Sequence, residues 1–327
     1  EQLTLGAGIR WSEFERETRN RDAFPEGLPP FADGGIAANG SMYSKGKSDD
    51  TLYKFSATYT IDDSKMVYAL FSQGFRIGGV NSPRAAATGE VGETFDADYM
   101  DNYEIGIKSN WMDNQLQLNA QYFLMEWSGM QIAHWGGVGP WWVGGTVNAE
   151  TAESSGLEFD IKYQVTENLN ISGSATFSDA KFTKEYVSPA GDVYRNGMAM
   201  PNSPDRKAYL GITYEQPDVA GGDLWVYYGV SYQSESWNRT GNIIDNDRNG
   251  ISPSHDNSNL SIGLDNLGDG WNVSLYIDNV FDQASYSFVN TNANTYTDLF
   301  GTDSQRNVRS LAQPRTTWLV VRKTFGR

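Results

Sequence analysis

Stretches that alternate apolar and polar residues run through this chain, and the connections between them alternate too, long then short. In GLEFDIKYQV, Leu157, Phe159, Ile161, Tyr163 and Val165 fall on one side and Glu158, Asp160, Lys162 and Gln164 on the other. That is the period of a strand with one apolar and one charged face. QLQLNAQY repeats it through Leu116, Leu118, Ala120 and Tyr122, and WNVSLYIDN through Trp271, Val273, Leu275 and Ile277. About twelve such segments are predicted, near 3–13, 50–62, 65–77, 99–111, 114–130, 153–166, 168–182, 205–217, 222–236, 257–267, 270–281 and 314–325. Many exceed the usual length of a strand in a soluble sheet and suit a tilted membrane strand.

Long connections cover 14–49, 78–98, 131–152, 183–204, 237–256 and 282–313. Short ones fall at Asp62–Asp63, Met112–Asn114, Thr166–Glu167 and Gly268–Gly270. Short turns at one end and long loops at the other are the rhythm of a transmembrane antiparallel β-barrel, whose lumen tolerates the charges of Glu158, Asp160 and Lys162. A soluble β-sandwich accounts for alternation but not for the loop rhythm. Composition agrees with many strands and turns: 34 Gly, 18 Tyr and 10 Trp. There is no cysteine, which excludes a disulfide scaffold, a thiol nucleophile and thiolate metal sites. The formal net charge of -16 argues against a nucleic-acid partner. No apolar run is long enough for a transmembrane helix, and the opening EQLTLGAGIRW reads as a strand under way rather than a signal peptide.

Several segments resemble TonB-dependent outer-membrane receptors. YALFSQGFRIGGVN carries Ser72, Gly74, Phe75, Arg76, Gly78, Gly79 and Asn81; NYEIGIKSNWMDNQLQLNAQYF carries Tyr103, Glu104, Gly106, Lys108 and a turn through Asp113. NAETAESSGLEFDIKY carries Asn148, Ala149, Glu150, Gly156 and Glu158; YIDNVFDQASY carries Asn279, Phe281 and Asp282; PRTTWLVVRKTF has Phe325 as its near-terminal aromatic. The resemblance implies an all-β fold, the C-terminal part of a 22-stranded barrel with a plugged lumen. Residues 1–327 are then a partial barrel, with the N-terminal plug and first barrel strands absent. It implies a bacterial outer-membrane receptor taking up a scarce solute, not an enzyme. The partners implied are the TonB–ExbB–ExbD energy-coupling complex acting through the plug, outer-membrane lipid, and a ferric siderophore or an oligosaccharide. A secreted carbohydrate-binding β-protein is the alternative outside transport.

Candidate site residues follow from chemistry. AHWGGVGPWW, in an external connection without Lys or Arg, gathers His134, Trp135, Trp141 and Trp142; aromatic surface suits a sugar or a catecholate ring. Arg76 in GFRIGG is a candidate solute contact at lumen or rim, since the glycines lack phosphate-loop spacing. DNDRNG places Asp245, Asp247 and Asn249 at alternate positions, with Asp256 where a calcium loop has its closing carboxylate. Pro253 and the short Asp256 depart from that pattern, so calcium is the one cofactor the sequence raises. Glu158 and Asp160, with Lys162 beside them, read as lumenal charges rather than catalytic ones. Asn279 and Asp282 are expected to close an Asx turn. Trp111, Trp127, Trp225, Trp237, Tyr103, Tyr122 and Tyr228 are expected in aromatic girdles or loop bases.

Overall fold

The computed structural model describes residues 2–20, 42–86, 89–138, 141–149, 151–188, 193–238, 243, 250–268, 270–297 and 303–325. Twelve long strands form one antiparallel sheet in which each pairs with its sequence neighbours. They are β1 (Leu3–Asn20), β2 (Met42–Asp62), β3 (Lys65–Arg76), β4 (Asp98–Trp111), β5 (Leu116–Ser128) and β6 (Thr151–Gln164). The second half comprises β7 (Leu169–Phe182), β8 (Arg206–Val219), β9 (Gly222–Gln233), β10 (His255–Leu267), β11 (Trp271–Asp278) and β12 (Thr316–Lys323). The order β1 to β12 is a meander, with β1 and β12 as its two edges.

Register shows why the sequence alternates. One row passes through Leu5, Ala57, Ala69, Ile105, Tyr122, Leu157 and Phe177, each directly opposite the next on the neighbouring strand. An adjacent row on the opposite face passes through Thr4, Thr58, Tyr68, Gly106, Gln121, Glu158, Thr176, Lys207, Gln233 and His255. Because side chains alternate strictly, a one-residue slip would exchange the two faces. The apolar face is bare: Leu5 is 72% and Ile105 61% exposed. Side chains of that kind, uncovered by protein and arranged in rows, are what a lipid-facing barrel wall requires.

On this outer face the apolar band stops at a row of polar residues, Gln73, Asp101, Glu126, Glu153 and Lys181. Gln73 donates to Asp101 at 2.9 Å and Lys181 pairs with Glu153 at 3.1 Å. From Leu116 to Glu126 the strand advances about 33 Å at 3.3 Å per residue. A tilt of roughly 40° brings this to about 25 Å, the height of a barrel's apolar band.

The inner face is polar and linked across strands. The Tyr68 hydroxyl donates to Gln121 at 2.6 Å, and Gln121 donates to Glu158 at 2.7 Å. Gly106 is needed beside Tyr68, since a Cβ there would lie 2.6 Å from its ring. Gly263 serves Trp225 in the same way, at 2.4 Å. Trp225 therefore lies on the lumenal side against Tyr276, not in the outer girdle expected for it; its register parity is opposite to that of its neighbours Leu224 and Val226. Tyr103, Tyr122 and Trp111 do stand exposed on the outer face, with Lys65 over the Trp111 ring at 4.5 Å.

The tight turns fall where expected. At Asp62 the carboxylate accepts from the Ser64 amide at 2.8 Å and the Ser64 hydroxyl at 2.6 Å. Those two bonds, helped by Lys65, outweigh slight desolvation and pull its pKa to about 2. Met112, Asp113 and Asn114 all have positive φ. The long connections differ more. β1 and β2 run to Asn20 and Met42, well past the predicted 13 and 50, because outward ion pairs Glu13–Lys47 and Glu15–Lys45 accompany an unbroken ladder. Residues 131–152 were expected to leave strand structure; Gln131–Val138 and Trp141–Asn148 instead form a separate hairpin. The break from β5 is real, at Gly129 with φ +61°.

Candidate functional site

The connection 77–97 and the hairpin 131–148 follow the same ends of β3, β4, β5 and β6 and are fastened together. Asn81, 3% exposed, supplies the central clasp. Its Nδ2 donates to the carbonyls of Gly92 and Thr146, both at 2.8 Å, and its Oδ1 accepts from the Thr146 amide at 2.7 Å. Asn148 reaches back: Nδ2 donates to Asp96 and Gly129 carbonyls at 3.0 and 2.8 Å, and Oδ1 accepts from the Asp96 amide at 2.8 Å. Gln131 Nε2 donates to the Ile77 and Asp96 carbonyls, each at 3.0 Å. Val91 is buried beside Gly145, where any Cβ would lie 2.9 Å from it. Three amide side chains thus satisfy backbone groups that loops ordinarily leave to water.

The base of this assembly is Asp98, 1% exposed at the head of β4. It accepts from Arg76 Nε, Arg76 Nη2, Trp127 Nε1 at 3.0 Å and the Gln131 amide at 2.9 Å. Burial alone pushes its pKa up; the hydrogen bonds from Arg76 and Gln131, the Arg76 charge and Trp127 together hold it below the ordinary value. The Arg76 guanidinium also stacks over Trp127 at 4.7 Å and donates to the Gln131 carbonyl at 3.0 Å. A charged, hydrogen-bonded knot of this kind fixes where the hairpin leaves the barrel.

Arg76 is half-exposed but engaged by Asp98. His134 is 6% exposed, and its Nε2 lies 3.1 Å from Glu90 Oε2, so it joins hairpin to loop. In the hairpin backbone Trp135 pairs with Gly144, Gly137 with Trp142 and Val138 with Trp141. Trp135 and Trp142 therefore occupy positions of one hairpin face and Trp141 the other; their side chains lie outside the described residues. Asp245, Asp247 and Asn249 also lie outside them, while Asp256 sits on β10 opposite Tyr232. Among the described residues no three His, Cys, Asp or Glu groups converge as a metal site.

Asn279 behaves as the sequence suggested. With φ +49°, it accepts from the Gln283 amide at 2.9 Å and donates to the Gln283 carbonyl at 3.0 Å, closing the turn after β11. Asp282 accepts from the Arg315 amide at 2.9 Å. Sequence reading did not find the roles of Asn81, Asp98 and Gln131. Asn81 and Asn148 stood in the resemblance, but nothing in one sequence tells which distant backbone groups they bind.

Residues 1–280 match the family described as TonB dependent receptor-like, beta-barrel. The chain is 27% identical over 244 residues to a curated Acinetobacter baumannii protein named "Probable TonB-dependent siderophore receptor PiuA". That alignment covers 70% of this chain and 29% of the relative. In fold, the chain is similar to the ferric yersiniabactin uptake receptor FyuA from Yersinia pestis, with TM-score 0.70 and 18% identity over 99% of this chain and 43% of that one. The solved siderophore receptor PiuA from Acinetobacter baumannii gives TM-score 0.67 and 19% identity, over 98% of this chain and 40% of that one. The chain thus spans under half the length of these relatives. With its lipid-facing apolar rows, its lumenal polar rows and this match, the chain belongs to the TonB-dependent receptor β-barrel family of the outer membrane.

Proposed function

We propose that this barrel segment serves a receptor that takes up a ferric siderophore, with energy from the TonB–ExbB–ExbD complex acting through a plug domain. The observation that carries the reading is the 27% identity, over 244 residues, to a protein named as a siderophore receptor. The clasped loops support it: a ligand platform is better when its loops are ordered before binding, because less conformational entropy is lost on association. Trp141 and Trp142 are the proposed ligand contacts, and His134 and Arg76 hold the platform through Glu90 and Asp98. An oligosaccharide is the second reading, favoured by the clustering of Trp135, Trp141 and Trp142 in one hairpin. A secreted carbohydrate-binding protein is set aside by the outer-membrane family.

The test uses the complete receptor polypeptide, assayed for binding of ferric siderophores and of oligosaccharides. Saturable binding of a ferric complex, with expression repressed by iron, is expected. Binding of a glycan alone would replace the first reading with the second. Replacing Trp141 and Trp142 together by Ala should weaken ligand binding while leaving membrane insertion unchanged; failed insertion would assign them to the scaffold instead.

A further inference from the structure

Above Lys54 and Ser72 the sheet divides. The β2–β3 ladder has its last pair there. The β1–β2 ladder nevertheless continues from Gly8–Lys54 to Asn20–Met42, and the β3–β4 ladder to Arg76–Asp98. Where the backbones part, a side chain stands in: Gln73 Oε1 accepts from the Tyr53 amide at 3.2 Å. The upper part of β1–β2 is thus a two-stranded arm that leaves the wall along a short line.

Beyond that line the arm meets the wall through side chains. Phe14 lies against Phe75 with ring centroids 5.6 Å apart, and Phe75 stacks on Tyr99 at 6.3 Å. Gly46 comes close to Val80, since a Cβ there would lie 3.3 Å from its Cγ1. A cleft of about 170 Å³ remains between the arm and the connection 77–97. By register Phe14 and Asp50 have the lumenal parity of β1 and β2, whereas Phe75 and Tyr99 have the outer parity of β3 and β4. The contact is therefore side chain on side chain and shares no ladder.

Asp50 lies within this seam. The Tyr99 hydroxyl donates to its Oδ1. That bond first, then burial and the Asp50 charge, push the Tyr99 pKa up to about 12, so the hydroxyl stays a donor at neutral pH. Asp50 is 9% exposed, and its Oδ2 is buried without a hydrogen-bond partner. A carboxylate that loses water on closure and regains one bond favours an open arrangement. The Tyr99 bond and the aromatic contacts oppose that bias.

We propose that β1–β2 above Tyr53 is a hinged flap, and that the half-satisfied Asp50 carboxylate keeps it poised between a closed and an open position. Opening uncovers Gly79 and Val80, next to Asn81, so the flap bears on the connection that Asn81 clasps to the tryptophan hairpin. The inference is independent of which solute is transported.

Nitroxide labels on Lys45→Cys and Glu126→Cys of the complete receptor in detergent report the distance from flap to wall by double electron–electron resonance; this chain has no cysteine of its own. The otherwise wild-type receptor should give two distance populations. Tyr99→Phe leaves the buried carboxylate without any partner and should raise the open-to-closed ratio at least about fivefold. Asp50→Leu combined with Tyr99→Phe replaces both polar groups by apolar ones of similar shape and should bring the ratio below that of wild type. A single distance in all three backgrounds overturns the flap, and so does a ratio unchanged in Tyr99→Phe. An open population as large in the double variant as in Tyr99→Phe overturns the poise and makes the pair a simple latch. Asp50 and Tyr99 lie outside the Asp98 knot, and retained heat-modifiable electrophoretic mobility will verify folding of each variant.

Discussion

Replacing Asn81 by Ala should release the tryptophan hairpin from its neighbour without unfolding the barrel. The side chain makes three hydrogen bonds, two as donor to Gly92 and Thr146 and one as acceptor from Thr146, and it is 3% exposed. A net value of about 0.5–1.5 kcal/mol per bond gives a loss of about 2–4 kcal/mol, since the orphaned Thr146 groups become partly solvated. Local opening should therefore rise by a factor of about 30–1000, at 1.4 kcal/mol per tenfold. Hydrogen exchange of the complete receptor, read on peptides covering 141–148, measures this directly. Strands β5 and β6 serve as the control, because their amides are locked in ladders on both sides. Asn81→Asp retains the acceptor but turns a carboxylate toward two carbonyl oxygens, so it should exchange at least as fast. Unchanged exchange at Thr146 in the Ala variant would refute the clasp, and faster exchange throughout the sheet would show that Asn81 supports the barrel instead.

Three further outcomes are expected. Ile105→Arg, at an outer-face position 61% exposed, should destabilise folding into liposomes by about 2–4 kcal/mol, whereas Thr176→Arg on the lumenal row should cost far less; equal costs would reverse the assignment of faces. Gly106→Ala drives a Cβ to within 2.6 Å of the Tyr68 ring and should destabilise by about 1–3 kcal/mol in thermal unfolding, with Tyr68→Ala restoring part of it. Asp62 has a folded pKa near 2, below its ordinary 3.8, so its turn is supported above the ordinary value and loses that support as pH falls through about 2. The Ser64 amide shift should titrate there, and a midpoint near 4 would contradict the bonding described.

The barrel wall was legible because lipid on one side and water on the other impose a two-residue period that any strand must carry. GLEFDIKYQV shows it most plainly, and the register of β6 with β5 and β7 places Glu158 and Leu157 on opposite faces as their sequence implies. Above the membrane that constraint lapses. In β1 and β2, Glu13, Glu15, Lys45 and Lys47 put charges on the face that carries apolar residues lower down, so the outward apolar pattern stops although the ladder continues. The hairpin at 131–148 escaped for the same reason, its glycines masking an extended backbone. The candidate site was legible only as composition. Tryptophans announce a surface, but what fixes that surface is amides reaching carbonyls 11 to 65 residues away, as Asn81 reaches Gly92 and Thr146. No local pattern encodes such pairs.

The polar row from Gln73 to Lys181 has a mechanical consequence. Asp101, Glu126 and Glu153 lie side by side on the lipid side of three neighbouring strands, just above the apolar band. Pushing the wall inward by even one strand step would submerge these carboxylates in hydrocarbon, and pulling it outward would strip lipid from Tyr103 and Leu124. The wall is thereby a depth gauge. Within these three strands the adjacent carboxylates are a flange that resists displacement of the wall along the membrane normal.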